Sequence, residues 1–325
     1  MKVPHPIPYQ GSKRKLAKYI LAYFPQDVGT LIEPFAGSAA VTIAAAALGK
    51  ASRFHINDLN APLMMLWDEM INNPQGLSEK YAHLWTEQQN NAREYYYHIR
   101  DEFNRTHLPE YLLYLLARCV KASVRYNPRG EFNQSPDNRR LGRQPKRMSE
   151  DIRAVSNLLR GRIAITSKDY RDALLVAKRR DLVYMDPPYQ GVCGNGDSRY
   201  YGGIDFDKFI HSLMELNERG ISFILSYDGR TETKTYGEKL PEQLGMRWIE
   251  VNAGRSTQAT LLGRNATTYE SLYLSKALVS RLGPDIQDIE MNLSKSYHPQ
   301  LELFPTLGKK TLCLRKHPVT RLNSY

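Results

Sequence analysis

The chain has few cysteines and no long apolar run, and both features narrow the classes of protein it fits. Its three cysteines, Cys119, Cys193 and Cys313, show no Cys-x-x-Cys spacing, which argues against a disulfide framework and a structural zinc site. The longest apolar run, residues 39–48, is too short to span a bilayer, and the start of the chain lacks a signal-peptide core. We therefore expect a soluble, cytoplasmic protein with reduced thiols.

Acidic residues are outnumbered, and much of the imbalance is local. The 45 Lys and Arg residues exceed the 34 Asp and Glu residues by 11. Within residues 121–147, eight basic side chains stand against two acidic ones, so this window alone contributes +6 of the +11. Such a concentrated basic segment favours contact with a polyanion such as nucleic acid. The hydrophobic content of 42% excludes disorder of the whole chain.

Two stretches of the chain carry the pattern of a parallel α/β sheet. Residues 30–35 predict a buried strand, residues 39–48 an Ala-rich helix closed by Gly49, and residues 53–58 a second strand. Strand, helix and strand in this order make one βαβ unit. Further strands are predicted at 160–166, 181–186, 221–228, 246–252 and 269–275, with a helix at 205–219.

Between these stretches the periodicity is helical. The intervening segment carries apolar side chains at helical spacing without strand alternation, and it ends in a loop rich in Pro, Gly, Asn and Arg at 125–147. We therefore predict a helical insertion in an α/β domain. The predicted units are a discontinuous α/β domain of residues 1–60 and 159–280, the insertion at 61–158, and a basic tail at 281–325.

The segment LVYMDPPY at 182–189 ends a predicted buried strand in an acid, two prolines and an aromatic. Asp186 and Pro187 both precede a proline, so both are restricted to extended conformations and the corner is stiff. Because proline has no N–H, the corner offers carbonyl and carboxylate acceptors but almost no donors. The amine of a nucleobase suits such a corner, since its hydrogens would bond to Asp186 and the Pro187 carbonyl while Tyr189 stacks on the ring. A plain Pro-Pro turn is the alternative.

A small-residue turn, EPFAGSAAV at 33–41, joins the first predicted strand to its helix, where backbone N–H groups can meet an anionic group. Gly37 is its only glycine, so a plain tight turn explains this stretch equally well. Asp58 ends the next strand at a spacing suited to ribose hydroxyls, and Asp169 follows a later strand where it could accept from an adenine amine. Each acid alone also fits a solvated strand end or a helix cap. Together they outline a nucleoside-shaped pocket.

In this order, EPFAGS, INDLN, RYNPRGEFN and DPPY resemble the Dam-like class of DNA adenine methyltransferases over residues 5–275. The resemblance implies a Rossmann-like methyltransferase sheet with helices on both faces, S-adenosylmethionine as cofactor, no metal, and the exocyclic amine of adenine as acceptor. It nominates as cofactor contacts Tyr9, Gly11, Lys13, Glu33, Phe35, Gly37, Asp58 and Asp169. The implied catalytic corner is Asp186, Pro187, Pro188 and Tyr189.

By the same resemblance, the insertion with its basic loop is the target-recognition domain, which holds double-stranded DNA while the target adenine is extruded. Arg125 is the predicted bidentate partner of a guanine, whereas Asn127 and Asn133 are expected to hold the loop in shape. Dam-like relatives tend to carry an aromatic residue and Asn where this chain has Val120 and Lys121, so no recognition sequence is assigned. The predicted DNA contacts are Lys121, Arg125, Asn127, Arg129, Asn133, Arg139 and Arg140.

Other functions stay open at this point. A cytosine 4-amino methyltransferase would use the same chemistry, although such enzymes more often begin the corner with Ser than with Asp. A non-catalytic DNA-binding protein on the same scaffold would have no reason to retain the acid, the prolines and Tyr189 together. Protein or RNA methylation explains the basic insertion less well than duplex DNA does. If the chain belongs to a modification system, a cognate restriction endonuclease is an expected partner.

Overall fold

The computed structural model describes residues 3–188, 204–231, 234–236, 240–255 and 267–295. Within these ranges the strands are β1 (Thr30–Glu33), β2 (Arg53–Asn57), β3 (Ile163–Thr166), β4 (Leu182–Met185), β5 (Ser222–Thr231), β6 (Lys234–Tyr236), β7 (Arg247–Arg255) and β8 (Thr267–Leu274). They form a single sheet in the order β3-β2-β1-β4-β5-β8-β7, with β6 paired to β5. Strands β1 to β5 run parallel, and β7 and β8 continue the sheet with antiparallel pairs.

Along the chain, helices precede the first strand, connect successive strands and follow the last strand. They are α1 (Ala17–Ala22), α2 (Ala40–Ala47), α3 (Ala61–Asn72), α4 (Pro74–Glu87), α5 (Ala92–Thr106), α6 (Pro109–Arg118), α7 (Pro145–Leu159), α8 (Tyr170–Leu175), α9 (Phe206–Glu218), α10 (Lys276–Leu282) and α11 (Asp285–Lys295). Helices α3 to α7 stand between β2 and β3, which confirms the predicted α/β sheet with a mainly helical insertion. Among the described residues, no helix is long and apolar enough to cross a membrane.

Neighbouring residues of the central strands pack on opposite faces of the sheet. Leu31 belongs to a buried cluster that includes side chains of α1, α2 and α10, whereas Ile32 packs with α8 and α9. This alternation covers both faces of the parallel sheet with helices. The first cluster continues into the insertion, where Trp67 and Tyr114 are fully buried. The insertion is therefore part of the same packed core as the sheet.

Buried Asn57 ties together the carboxyl ends of three neighbouring strands. Its Nδ2 donates to the carbonyls of Pro34 and Lys168 at 3.1 and 2.9 Å. Its Oδ1 accepts from Thr166 Oγ1 and from the Lys168 N–H at 2.7 and 3.0 Å. These bonds satisfy the whole amide and fix the loops that follow β1, β2 and β3. Ligands of parallel α/β sheets bind at this edge.

The first residues of the predicted tail at 281–325 fall within α10. Helices α10 and α11 extend the fold through the first part of it, and Ile286 is only 4% exposed. Ile289 and Leu293, three and seven residues further along, pack against the same core cluster. This helical spacing is easy to miss because polar and charged residues surround the three apolar positions. Residues 296–325 lie outside the described part of the chain.

Candidate active site

A cavity of about 350 Å³ opens at the carboxyl end of β1, β2 and β4. It is lined by all the residues nominated as cofactor contacts: Tyr9, Gly11, Lys13, Glu33, Phe35, Gly37, Asp58 and Asp169. Asp186, Pro187 and Pro188 line it as well, so one hollow joins the DPPY corner to the glycine turn. Tyr189 lies outside the described residues. The cavity has the size of a small-molecule site.

Gly37 is held by contacts on several sides, and its backbone conformation favours glycine. Its N–H donates to Asp58 Oδ2 at 2.9 Å, and its carbonyl accepts from Trp67 Nε1 at 3.0 Å. Its φ of +49° lies in the left-handed region, and a Cβ at this position would be 3.2 Å from the Tyr9 ring. A side chain at this position would therefore strain the backbone and press on the Tyr9 ring at the wall of the cavity.

The two acids predicted to face a nucleoside also make hydrogen bonds within the protein. Besides Gly37, Asp58 accepts from the Asn60 N–H at 3.0 Å, and its burial raises its pKa. Asp169 caps α8 by accepting from the Arg171 N–H at 3.0 Å, and the Arg171 guanidinium lowers the pKa of this carboxyl. Because a carboxylate has about four acceptor positions, both acids keep capacity for a ligand.

Lys13 connects the catalytic corner to the far side of the sheet. Its ammonium lies 3.2 Å from Asp186 Oδ1 and 2.6 Å from Glu270 Oε2, and the Lys13 side chain is 9% exposed. Lys13 and Asp186 belong to the sequence motifs, whereas Glu270 does not. Glu270 lies on β8, outside every motif and 257 residues from Lys13, so no local pattern signals this contact.

Glu33 places a second acid close to Asp186. Its side chain is buried, and Oε1 accepts a hydrogen bond from the Thr42 N–H. Burial raises the pKa of Glu33 to about 8, opposed by the Thr42 hydrogen bond and reinforced by the negative charge of Asp186. Glu33 is therefore mostly protonated at neutral pH, and it adds little negative charge beside Asp186.

Aromatic rings form one wall of the cavity. The rings of Phe35 and Tyr170 both line it, with centroids 5.2 Å apart. Phe209 of α9 supports them from behind, at 6.4 Å from Phe35 and 5.9 Å from Tyr170. Tyr170 was not predicted, although it directly follows Asp169 in the sequence. The three rings give the cavity an apolar face on which a flat ligand ring can pack.

The helical insertion reaches the same cavity. Val124 and Tyr126 of the basic loop line it, and Tyr126 Oη donates to Asn60 Oδ1 at 3.3 Å. Just before them, Lys121 and Ala122 have φ of 58° and 50°. Residues other than glycine rarely adopt this left-handed backbone conformation. The Ala122 carbonyl accepts from the Gln10 N–H at 2.9 Å. The predicted DNA-recognition segment thus contacts the wall of the cavity directly.

The basic loop holds many of its own charges in ion pairs. Asp137 is 4% exposed, and it accepts from Arg139 Nε at 3.2 Å and from Arg140 Nη2 at 2.7 Å. These bonds lower the pKa of the Asp137 carboxyl. Arg129 lies 3.0 Å from Glu131. Three of the predicted DNA contacts therefore already have an acidic partner within the loop.

The remaining predicted DNA contacts differ in their surroundings. Asn127 shapes the loop as expected, because its Oδ1 accepts from the N–H groups of Arg129 and Glu131 at 2.9 and 3.0 Å. Arg125 and Asn133 have exposed side chains, and the Asn133 N–H donates to the Arg125 carbonyl at 3.0 Å. Arg125 is therefore an exposed residue whose backbone is held by the hydrogen bond from Asn133.

The sequence also matches a known family along most of its length. Residues 9–257 match the D12 class of N6 adenine-specific DNA methyltransferases. The chain belongs to this family. It is an adenine-specific DNA methyltransferase, and members of the family use S-adenosylmethionine as the methyl donor.

Named relatives agree with this membership. A type II methyltransferase of Lactococcus lactis subsp. cremoris is 29% identical over 79% of this chain and 90% of its own length. A DNA adenine methylase of Vibrio cholerae is 24% identical over 79% of this chain and 91% of its own. Among solved structures, an rRNA methyltransferase from Streptomyces viridochromogenes superposes with a TM-score of 0.36 at 16% identity, covering 83% of this chain and 88% of that one.

Proposed function

We propose that the chain methylates the N6 amine of adenine in double-stranded DNA, with the DPPY corner as the catalytic centre. The Asp186 carboxylate and the Pro187 carbonyl accept the two hydrogens of the amine, which localises its lone pair for attack on a methyl group. The observation that supports this most is the single cavity shared by Asp186 and Gly37. Pro188 stiffens the corner, and stacking by Tyr189 is proposed from the sequence alone.

The residues of the cavity fit S-adenosylmethionine, which supplies a methyl group bonded to a positively charged sulfur. The carboxylates of Asp58 and Asp169 accept from hydroxyl and amine groups, and the ring of Phe35 offers a face for adenine. Lys13 can meet a carboxylate, and Tyr9 closes the turn at Gly37. Gly11 and Glu33 complete the proposed cofactor contacts.

Asp186 also acts after the methyl group has been transferred, by accepting a proton. A methylated amine must lose one proton to become neutral, and the carboxylate that already accepts one of its N–H bonds is the nearest acceptor. The ammonium of Lys13, 3.2 Å away, stabilises the negative charge that Asp186 needs for this task. Asp186 would then pass the proton to water, because its side chain is 22% exposed.

We propose that the unit formed by α3 to α7 and the basic loop recognises DNA, while the sheet with α1, α2 and α8 to α10 performs catalysis. A stacked adenine cannot reach the corner, so the target base is extruded while the loop holds the phosphates. Arg125 reads a guanine, and Lys121, Asn127, Arg129, Asn133, Arg139 and Arg140 lie along the DNA path. The tail after α11 has no assigned role.

A modification role in the cytoplasm, beside a partner nuclease, is the proposed setting. It is supported by the similarity to proteins named type II methyltransferases. A restriction endonuclease that cuts only DNA lacking the mark of this enzyme would establish the pairing.

The decisive experiment supplies labelled S-adenosylmethionine and unmethylated bacterial DNA, followed by sequencing of the modified positions. We expect N6-methyladenine in one short sequence context. Asp186→Ala should abolish transfer and leave cofactor binding nearly intact, because its carboxylate acts on the amine. No label in DNA from several sources, or full activity of the Asp186 variant, would refute the proposal.

A further inference from the structure

A glutamate from the antiparallel side of the sheet reaches the catalytic corner. The Lys13 ammonium faces two carboxylates, at 2.6 Å from Glu270 and 3.2 Å from Asp186. All three side chains are shielded, with exposures of 9% for Lys13, 22% for Asp186 and 21% for Glu270. Charge contacts shielded from water are stronger than those on the surface. Lys13 therefore sets the electrostatic surroundings of Asp186, and Glu270 helps to set the position of Lys13.

The position of Glu270 follows from close strand packing. Glu270 stands opposite Gly229 in the β5–β8 ladder, and the register shifts between Ser226 and Gly229. A Cβ on Gly229 would lie 2.6 Å from the Tyr269 carbonyl oxygen, so only glycine lets β8 approach β5 this closely. The fold thus brings an acid from near the end of the sheet against a lysine of the N-terminal arm.

The two carboxylates compete for one ammonium. Asp186 needs a lone pair for an adenine N–H, and an ammonium bonded tightly to the same carboxylate would compete with the base. The contact with Glu270 at 2.6 Å is the shorter one, whereas 3.2 Å to Asp186 is at the outer limit of a good hydrogen bond. Lys13 thus stabilises the negative charge of Asp186 without forming a short hydrogen bond to its carboxylate.

We propose that Glu270 is a positioning residue for methyl transfer, which holds the Lys13 ammonium back so that Asp186 can accept the adenine amine. This inference rests on the role proposed above for Asp186. It gives a function to an acid outside all the motifs of the chain.

Glu270→Gln keeps the size of the side chain and removes its charge. Lys13 should then turn to Asp186, so single-turnover transfer at saturating cofactor and DNA should slow by about 10- to 100-fold. S-adenosylmethionine affinity, measured by calorimetry, should fall less than the transfer rate, because Lys13 is one of eight proposed cofactor contacts. An unchanged transfer rate would overturn the inference. If the wild type itself transfers no methyl group, the proposed function fails before this test begins.

Glu250→Gln is the matched control. Glu250 lies on the neighbouring strand β7, pairs with Arg230 at 2.6 Å, and does not line the cavity. Both variants lose one ion pair of the same sheet region, so both should show a similar small drop in Tm. Only Glu270→Gln should slow transfer, and equal slowing in both variants would indicate a general structural effect and overturn the proposal.

A double-mutant cycle tests whether Glu270 acts through Lys13. The variant with both Glu270→Gln and Lys13→Met should transfer at the rate of Lys13→Met alone, because Glu270 then has no ammonium to hold. Two effects that multiply would show that Glu270 works independently of Lys13, and would overturn the inference. Should Glu270→Gln fail to fold, Glu270→Asp replaces it in both measurements, since the shorter side chain also releases Lys13.

Discussion

The cavity and the basic loop hold their charges in opposite ways. In the cavity, Lys13 and Asp186 are mostly shielded from water, and Glu33 is buried deeply enough to be mostly protonated at neutral pH. In the loop, the side chains of Arg139 and Arg140 are 84% and 68% exposed although both pair with Asp137. Shielded contacts are strong and fix geometry, whereas exposed pairs are weak and screened by salt.

The difference in burial indicates how the cavity binds its cofactor and how the basic loop binds DNA. The cavity is built before a ligand arrives, because its acids and its glycine turn are held by internal hydrogen bonds. The loop instead holds its arginines in exposed ion pairs, which contact with a DNA phosphate would have to replace. Catalytic geometry therefore depends on burial, and DNA binding depends on exchange of partners.

The largest effect should come from Arg125→Ala, because among the described residues no ion pair of Arg125 is found, whereas Arg139 pairs with Asp137. With its side chain exposed on a fixed backbone, Arg125 should contribute about 1–3 kcal/mol to cognate DNA binding, or roughly 10- to 100-fold in Kd. Arg139→Ala should cost clearly less, because Arg139 must first leave Asp137. Fluorescence anisotropy with cognate and scrambled duplexes measures both variants. Equal losses for the two would remove the distinction.

A smaller effect, of about tenfold, should separate Gly37, which lines the cavity, from Gly49, which follows the end of α2. Gly37→Ala and Gly49→Ala both force a side chain into the left-handed region, at φ of +49° and +63°. Only the first brings a Cβ against the Tyr9 ring, since nothing lies within 4 Å of a Cβ at Gly49. We expect S-adenosylmethionine affinity to fall in Gly37→Ala alone, as measured by calorimetry. Equal affinities would mean that the turn does not form the cofactor wall.

The same contrast explains what the sequence could predict. Gly37, Asp58 and Asp186 each follow a parallel strand, and the carboxyl ends of parallel strands share one edge of the sheet. The local motifs therefore suffice to predict that these residues line one cavity. Glu270 could not be found, because an antiparallel pairing across the whole chain carries it to Lys13. Asp137 and Arg139 are only two residues apart, yet a count of charged residues does not show that they form an ion pair.

Asp137→Asn should affect stability and DNA binding in opposite directions. Losing the carboxylate removes the ion pairs to Arg139 and Arg140, which should destabilise the fold by about 1 kcal/mol, as those partners are exposed. The released guanidinium groups should strengthen binding to non-specific DNA. Thermal unfolding and anisotropy at several salt concentrations measure the two effects. A variant that loses both stability and non-specific affinity would show that the arginines depend on Asp137 for their position.

Low pH should reduce the difference in stability between the wild type and Asp137→Asn. The pKa of Asp137 is lowered in the folded protein, so its stabilisation is present above the unfolded pKa of about 4 and is lost as pH falls below it. The difference in Tm between the wild type and Asp137→Asn should therefore begin to narrow as the buffer is taken from pH 6 toward pH 3. A gap that stays constant over this range would mean that the charge of Asp137 does not stabilise the loop.

The smallest effect concerns the proton on Glu33. Because its pKa is raised to about 8 in the folded protein, Glu33 is mostly protonated at pH 7. A cofactor with positive charges on its sulfur and amine favours the ionised form, so binding should lower this pKa and release up to about one proton near pH 7. Calorimetric titrations of S-adenosylmethionine in two buffers of different ionisation enthalpy count that proton.

The sign of this effect follows from the direction of the shift. Since the bound state holds fewer protons, cofactor affinity should rise with pH until it levels off above about pH 8, where Glu33 is already ionised before binding. Glu33→Gln should abolish both the proton release and this rise. If the variant releases as many protons as the wild type, another group titrates on binding, and the burial of Glu33 would not be what couples the cavity to pH.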